Sequence, residues 1–299
     1  MADDSDSLAR ALRHSLRGPT GSHEARGVPE SYYGHAKTHL LDVRASTGNP
    51  DDQDGPRKAG SKTLTVYGVF PYPWSSDKEE VEALNDGRWF PSDRDFKALA
   101  NLMPNSDRVA KIGSFSELLI AMMHFSKFEL ATLNIITHGG FSDMALQGKV
   151  LKEGNVELGI DDPKDDVSTL NMTTLANLEA SNSIDTSAPN MQYKGKGIGA
   201  FTFADARDRF GAGATMFLYC CHGGAEQVYC DELAKVFRVN IRGFKLEIYY
   251  QPEVKNNRIV NRTRCRYPPP PRGAQLVHGL HKLTPDREAK APLPTPTSP

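Results

Sequence analysis

Two short segments of this chain carry side chains able to act together. One reads Asn134-Ile135-Ile136-Thr137-His138-Gly139-Gly140, and the other Phe217-Leu218-Tyr219-Cys220-Cys221-His222-Gly223-Gly224. Each is an apolar, strand-like run that ends in a reactive side chain followed by glycine. A histidine and a cysteine brought to one crevice form the pair that nucleophilic thiol chemistry requires: a thiol that becomes thiolate, a base or acid beside it, and amide donors for a developing oxyanion. The glycines let backbone approach a substrate closely. A helix beginning just after Gly224 would turn its positive end toward Cys221 and favour the thiolate.

The elements that must position this pair alternate along the sequence. Residues 64–70 form a β-rich run closed by Pro71 and Pro73, and residues 77–85 read as a helix opened by Ser75 or Ser76. Ser114 with Glu117 is a capping box for a helix reaching about Phe128, followed by a strand over 130–137. Residues 144–151 read as a hairpin arm, 203–210 as a helix, 214–221 as a buried strand and 225–237 as a helix. Two late strands, 244–250 and 259–267, flank an Asn256-Asn257 turn. Strands alternating with helices predict an α/β fold with a mostly parallel sheet covered by helices on both faces. In such a sheet, ligands sit beyond the carboxyl ends of the strands, where both motifs lie.

A strand followed by His-Gly, then a later strand followed by small-Cys-x-Gly, resembles the caspase-haemoglobinase fold of cysteine peptidases, which includes caspases, CHAT-type proteases and the self-processing protease domains of bacterial toxins. The resemblance spans about Leu64 to Tyr250. It implies His138 as general acid/base, Cys221 as nucleophile and the amides of Gly139 and Cys221 as oxyanion hole. Cys220 takes the small, buried position before the nucleophile, with His222 and Gly223 as possible supporting residues. It also implies a protein or peptide substrate laid against a sheet edge, with Asp143, Glu226, Tyr72 and Trp74 as candidates for the pocket. Caspases read Gln-Ala-Cys-Arg-Gly where this chain has Tyr219-Cys220-Cys221-His222-Gly223, so aspartate specificity does not carry over. The interval from His138 to Cys221 is longer than in caspases. A long insertion over 161–199, with one helix at 173–180, absorbs it, and its Ser-Asn-Ser-Ile-Asp-Thr-Ser stretch is a candidate maturation site.

Other readings of the same residues stay open. A strand-end cysteine is most often an inert core thiol, and the chain is then a catalytically inactive scaffold or binding module. Cys220, Cys221, His222 and Cys230 supply soft zinc ligands, but adjacent cysteines point to opposite faces of a strand and no Cys-x2-4-Cys knuckle is present. The reading taken here holds no metal and no cofactor. The Gly195, Gly197, Gly199 triplet lacks the Lys-Ser/Thr of a phosphate loop. Lys255, Arg258, Arg262, Arg264 and Arg266 read as a solvated face rather than a nucleic-acid site.

Composition narrows the classes further. With 36 Lys+Arg against 37 Asp+Glu, the net charge of −1 gives no reason to expect a polyanion or an acidic membrane as partner. The apolar run 118–123 falls far short of the ~18 residues of a membrane span. Four clustered cysteines predict reduced thiols and a cytoplasmic location. Residues 1–60 are too polar to offset ordering entropy and read as a disordered arm, with a transient helix on Leu8, Leu12 and Leu16. Residues 268–299 read as a Pro-rich disordered tail, a possible ligand for Pro-reading partners. One domain over 61–267 remains.

Overall fold

The computed structural model describes residues 59–150, 156–158, 169–176, 192–195, 197–270 and 275–292. The expected arm helix and the Ser-Asn-Ser-Ile-Asp-Thr-Ser stretch lie outside these residues. The centre is a sheet ordered β6-β5-β4-β3-β1-β2, made of β1 (Lys62–Gly68), β2 (Arg108–Ile112), β3 (Leu130–Ile136), β4 (Phe210–Tyr219), β5 (Asn240–Gly243) and β6 (Arg287–Ala289). All neighbouring pairs are parallel except β5 with β6, which is antiparallel. The chain is therefore α/β with a largely parallel sheet.

Strand side chains alternate between two apolar clusters, as a period of two requires. Leu64, Val66, Leu133, Ile135, Met216, Leu218 and Cys220 enter one cluster, together with α3 (Phe115–Met122), α4 (Phe203–Arg207) and α5 (Gln227–Phe237). Tyr67, Ile136 and Tyr219 enter the other, with Phe96, Leu99 and Ala100 of α2 (Asp93–Ala100), while Phe217 and Cys221 pack against it. Side-chain caps start the helices. Ser76 accepts the Glu79 amide before α1 (Asp77–Asn85), and Ser92 forms a capping box with Asp95 at α2. Ser114 accepts the Glu117 amide at α3, but the Glu117 carboxylate turns instead to the Gly113 amide, 2.5 Å away.

Four expectations are corrected. The helix predicted over 203–210 stops at Arg207, because the Arg209 carbonyl accepts the Leu130 amide at 2.8 Å and draws the chain into β4. Residues 244–248 are not strand: the Phe244 and Leu246 carbonyls are taken by the Gly224 (2.9 Å) and His222 (3.3 Å) amides. Only Tyr249–Tyr250 pairs with Arg264–Arg266, while the Asn256-Asn257 turn joins Glu253–Lys255 to Arg258–Asn261. The basic stretch is not a uniformly solvated face, because Arg262 is partly buried and paired with two buried carboxylates.

The fourth correction is the tail. Beyond Pro268, β6 completes the sheet and Arg287 reaches the Gly224 carbonyl (2.7 Å), the Ala225 carbonyl (2.9 Å) and Gln227 Oε1 (2.7 Å). A charged donor with three acceptors outweighs the poor core-forming composition around it. No helix among the described residues is long and apolar enough to cross a membrane. Truncating the chain after Thr284 is expected to lower unfolding free energy by about 2 kcal/mol or more, from loss of charge-assisted hydrogen bonds. Urea denaturation measures this, and an unchanged midpoint would restore the reading of a solvated tail.

Candidate active site

The register of β3 against β4 sets the site. Ile136 pairs with Tyr219 in a parallel ladder, and the Thr137 amide donates to the Tyr219 carbonyl at 3.3 Å. Both strands end there, and beyond them Cys221 packs against the cluster that holds Phe96 while the His138 ring meets Phe96 itself, so the two residues lie on the same side of the sheet. His138–Gly139 then folds back onto Met144 and Ala145 as an antiparallel pair. The turn is closed by the Gly140 amide, which donates to Asp143 Oδ1 at 2.7 Å, and by the Thr137 hydroxyl bonded to the Ala145 carbonyl.

His138 is held on three sides. Its ring meets Phe70 and Phe96 edge to face, at centroid distances of 4.4 and 5.0 Å. Its Nε2 lies 2.9 Å from the Pro91 carbonyl oxygen. A carbonyl only accepts, so Nε2 carries the proton and Nδ1 keeps its lone pair. Burial pushes the imidazole down to about 4, against the Pro91 hydrogen bond. At neutral pH the ring is an uncharged base.

Cys221 follows β4 with its sulfur 3.8 Å from the Ile248 carbonyl. Burial raises its thiol to about 11, outweighing the opposing Ile248 hydrogen bond. The expectation of a thiolate favoured by a helix end is thus corrected. α5 starts only at Gln227, and its N-cap residue Glu226 makes no capping bond, its carboxylate accepting instead the Ser142 hydroxyl at 2.6 Å. Desolvation of the sulfur is the larger effect.

Cys220 faces the opposite cluster, fully buried, with its thiol driven well above the usual range by burial. The two glycines beside it are sterically required. A Cβ on Gly223 would stand 2.4 Å from Cys220 Sγ, and one on Gly139 would stand 3.0 Å from the same sulfur and 2.9 Å from the Cys221 carbonyl oxygen. Gly139 is therefore brought against the Cys221 backbone. His222 adopts φ +57, stacks on Phe141 at 4.4 Å and places Nδ1 3.2 Å from the Lys245 carbonyl. Glu247, 3.7 Å from its Nε2, raises its pKa.

Of the proposed pocket residues, Asp143 lies close enough to Cys220 to raise its thiol further, and burial raises its own pKa. Tyr72 and Trp74 belong to an aromatic group with Trp89 and Phe90 that leads into Pro91. Among the described residues, no three His, Cys, Asp or Glu side chains converge to hold a metal ion. Pro91, Phe96, Ile248 and Tyr250 were not legible as site residues. Tyr250 packs against Phe96, and its hydroxyl is buried with no hydrogen-bond partner. Only the capping pattern Ser92-x-x-Asp95 could have pointed to the α2 start that presents Pro91. Comparison of the chain with protein-family models, curated proteins and solved structures gave no match.

The depressed imidazole makes stability depend on pH. His138 stays neutral in the folded chain down to about pH 4, whereas in the unfolded chain it takes a proton near 6.5. As pH falls, the unfolded state binds that proton first, so stability present above pH 6.5 is lost progressively down to about pH 4, by roughly 3 kcal/mol. His138→Gln is expected to remove this part of the acid sensitivity when urea unfolding is followed between pH 7 and 4. Parallel curves for the two proteins would contradict a buried neutral imidazole.

Proposed function

We propose that the chain is a cysteine endopeptidase acting through His138 and Cys221. The observation that carries this is that the His138 ring and Cys221 both pack on the Phe96 side just beyond paired parallel strands, with Gly139 against the Cys221 backbone and the Pro91 hydrogen bond taking only Nε2 of His138. The resemblance of the two motifs to caspase-haemoglobinase peptidases points the same way, and a largely parallel α/β sheet accommodates it.

Because both groups rest uncharged, the thiol proton passes to His138 Nδ1 as Cys221 Sγ attacks the carbonyl carbon of the substrate. The oxyanion rests on the amides of Gly139 and Cys221. As the C–N bond breaks, His138 returns its proton to the leaving amine and a thioester remains. Water, deprotonated by His138, then releases the acid and restores the thiol. Cys220 anchors the strand end from behind, Gly223 makes room for its sulfur, and His222 fixes the following turn on Lys245 and Glu247. All four cysteines are free, in keeping with a reducing, cytosolic-type compartment.

One observation favours a second reading, an inactive scaffold: the sulfur and the imidazole are each already bonded to a backbone carbonyl. A proteome-derived peptide library, sequenced for new N-termini, separates the two. Wild type should cleave, with Cys221→Ala and His138→Ala each slower by at least about 10³-fold. Cleavage that survives both substitutions, or its absence from folded wild type, would overturn the peptidase reading.

A further inference from the structure

We propose that Arg262, remote from the catalytic pair in sequence, is a positioning residue that holds the Pro91 carbonyl against His138 Nε2. This rests on the peptidase reading for its consequence in turnover, but not for its structural content.

The connection runs through a short chain of direct hydrogen bonds. Arg262 forks onto Glu80, with NH1 to Oε1 at 2.6 Å and NH2 to Oε2 at 2.7 Å, and the same NH1 reaches Asp95 Oδ1 at 2.9 Å. The Glu80 and Asp95 side chains are 1% and 0% exposed, and that of Arg262 is 18% exposed. Glu80 also accepts Trp89 Nε1 at 3.1 Å and the Tyr72 hydroxyl at 3.0 Å. Asp95 accepts both the amide (2.8 Å) and the hydroxyl (2.9 Å) of Ser92. Pro91 therefore lies between two residues, Trp89 and Ser92, that are each tied to a carboxylate of the clamp. The Asp93 amide, bonded to the Phe70 carbonyl at 2.7 Å, fixes the same segment to the end of β1.

A planar guanidinium is the group suited to this task. It meets one carboxylate with two parallel bonds while its third contact sets the angle to another. A lysine ammonium at the same place lacks the fork and cannot hold both carboxylates in one fixed geometry. Arg262 follows the Arg258–Asn261 strand, so the late hairpin is coupled to the segment that orients the histidine. The clamp touches neither His138 nor Cys221. Its effect is transmitted by where Pro91 stands.

The test uses the full chain labelled with 15N histidine, with His138→Gln assigning the signal. In wild type at pH 7 the His138 Nε2 proton, buried and bonded to Pro91, should give a resolved resonance. In Arg262→Lys it should be broadened away by solvent exchange, while protected amides of β3 and β4 keep their signals. Arg262→Met with Glu80→Gln, which removes the Arg262–Glu80 ion pair as a unit and leaves Asp95 its Ser92 hydrogen bonds, should fold and lose the same resonance. In cleavage assays these variants should lose about 10- to 100-fold in kcat, with KM changed less than about threefold.

A retained Nε2 proton signal in the folded variants, or a kcat unaffected in them, overturns the positioning role. Loss of the signal in variants of a wild type that cleaves nothing would sustain the clamp while removing the peptidase reading.

Discussion

The parallel pairing of β3 with β4 is the constraint on which the site depends. Two residues far apart in sequence come to one side of the sheet because Ile136 and Tyr219 are register partners, beyond which each chain turns within two residues. A slip of one residue would send His138 or Cys221 to the opposite cluster. Buried apolar residues on both faces resist that slip: Leu133 and Ile135 on one side and Ile136 on the other, against Met216, Leu218 and Tyr219. The register is thus fixed by the whole core and read out at its edge. The placement of Cys220 makes the same point, since its sulfur fills the space left by Gly139 and Gly223 on the far face.

The electrostatics of the pair follow from its enclosure. Phe70 and Phe96 pack against the imidazole, and Ile248 supplies only a carbonyl to the thiol. With no charge near enough to compensate, burial favours the uncharged form of each group, so the imidazole falls and the thiol rises. A pair in this state holds its proton on sulfur until a third partner makes transfer favourable. Under the peptidase reading we propose, the oxyanion amides would supply that only when a carbonyl is seated among them, coupling activation of the thiol to occupancy of the crevice.

The sequence made the strand tips legible because their chemistry is local: an apolar run, one reactive residue, then glycine. Alternation of strand and helix pointed to a mostly parallel sheet, whereas the adjacency of β3 and β4 within it was an assumption that the register supplies. What escaped was set by tertiary partners. α2 and β2 lie in a polar stretch whose apolar residues, Phe96, Leu99 and Ile112, gain meaning only when packed on the sheet. The expected strand over 244–250 has the right residues, but its first carbonyls are recruited by the turn after Cys221. The expected tail has a Pro-rich composition, yet Arg287 finds three acceptors at the start of α5. Composition describes a segment's own preferences and not the partners waiting for it.

Arg262 shows the same limit from the other direction. In sequence it is one cation in a basic stretch, and its neighbours behave as exposed or half-exposed charges paired with Glu253 or Asp77. Its own position is decided by two acids on separate helices, Glu80 and Asp95, neither of which is suited to burial alone. Asp95 illustrates the balance, for burial raises its pKa in spite of Ser92 and Arg262. Replacing the triad by apolar residues could leave a fold of equal or greater stability, so its retention is better explained by geometry than by stability. The geometry it fixes is the start of α2, and Pro91, the residue before the Ser92 cap, presents the carbonyl that faces His138.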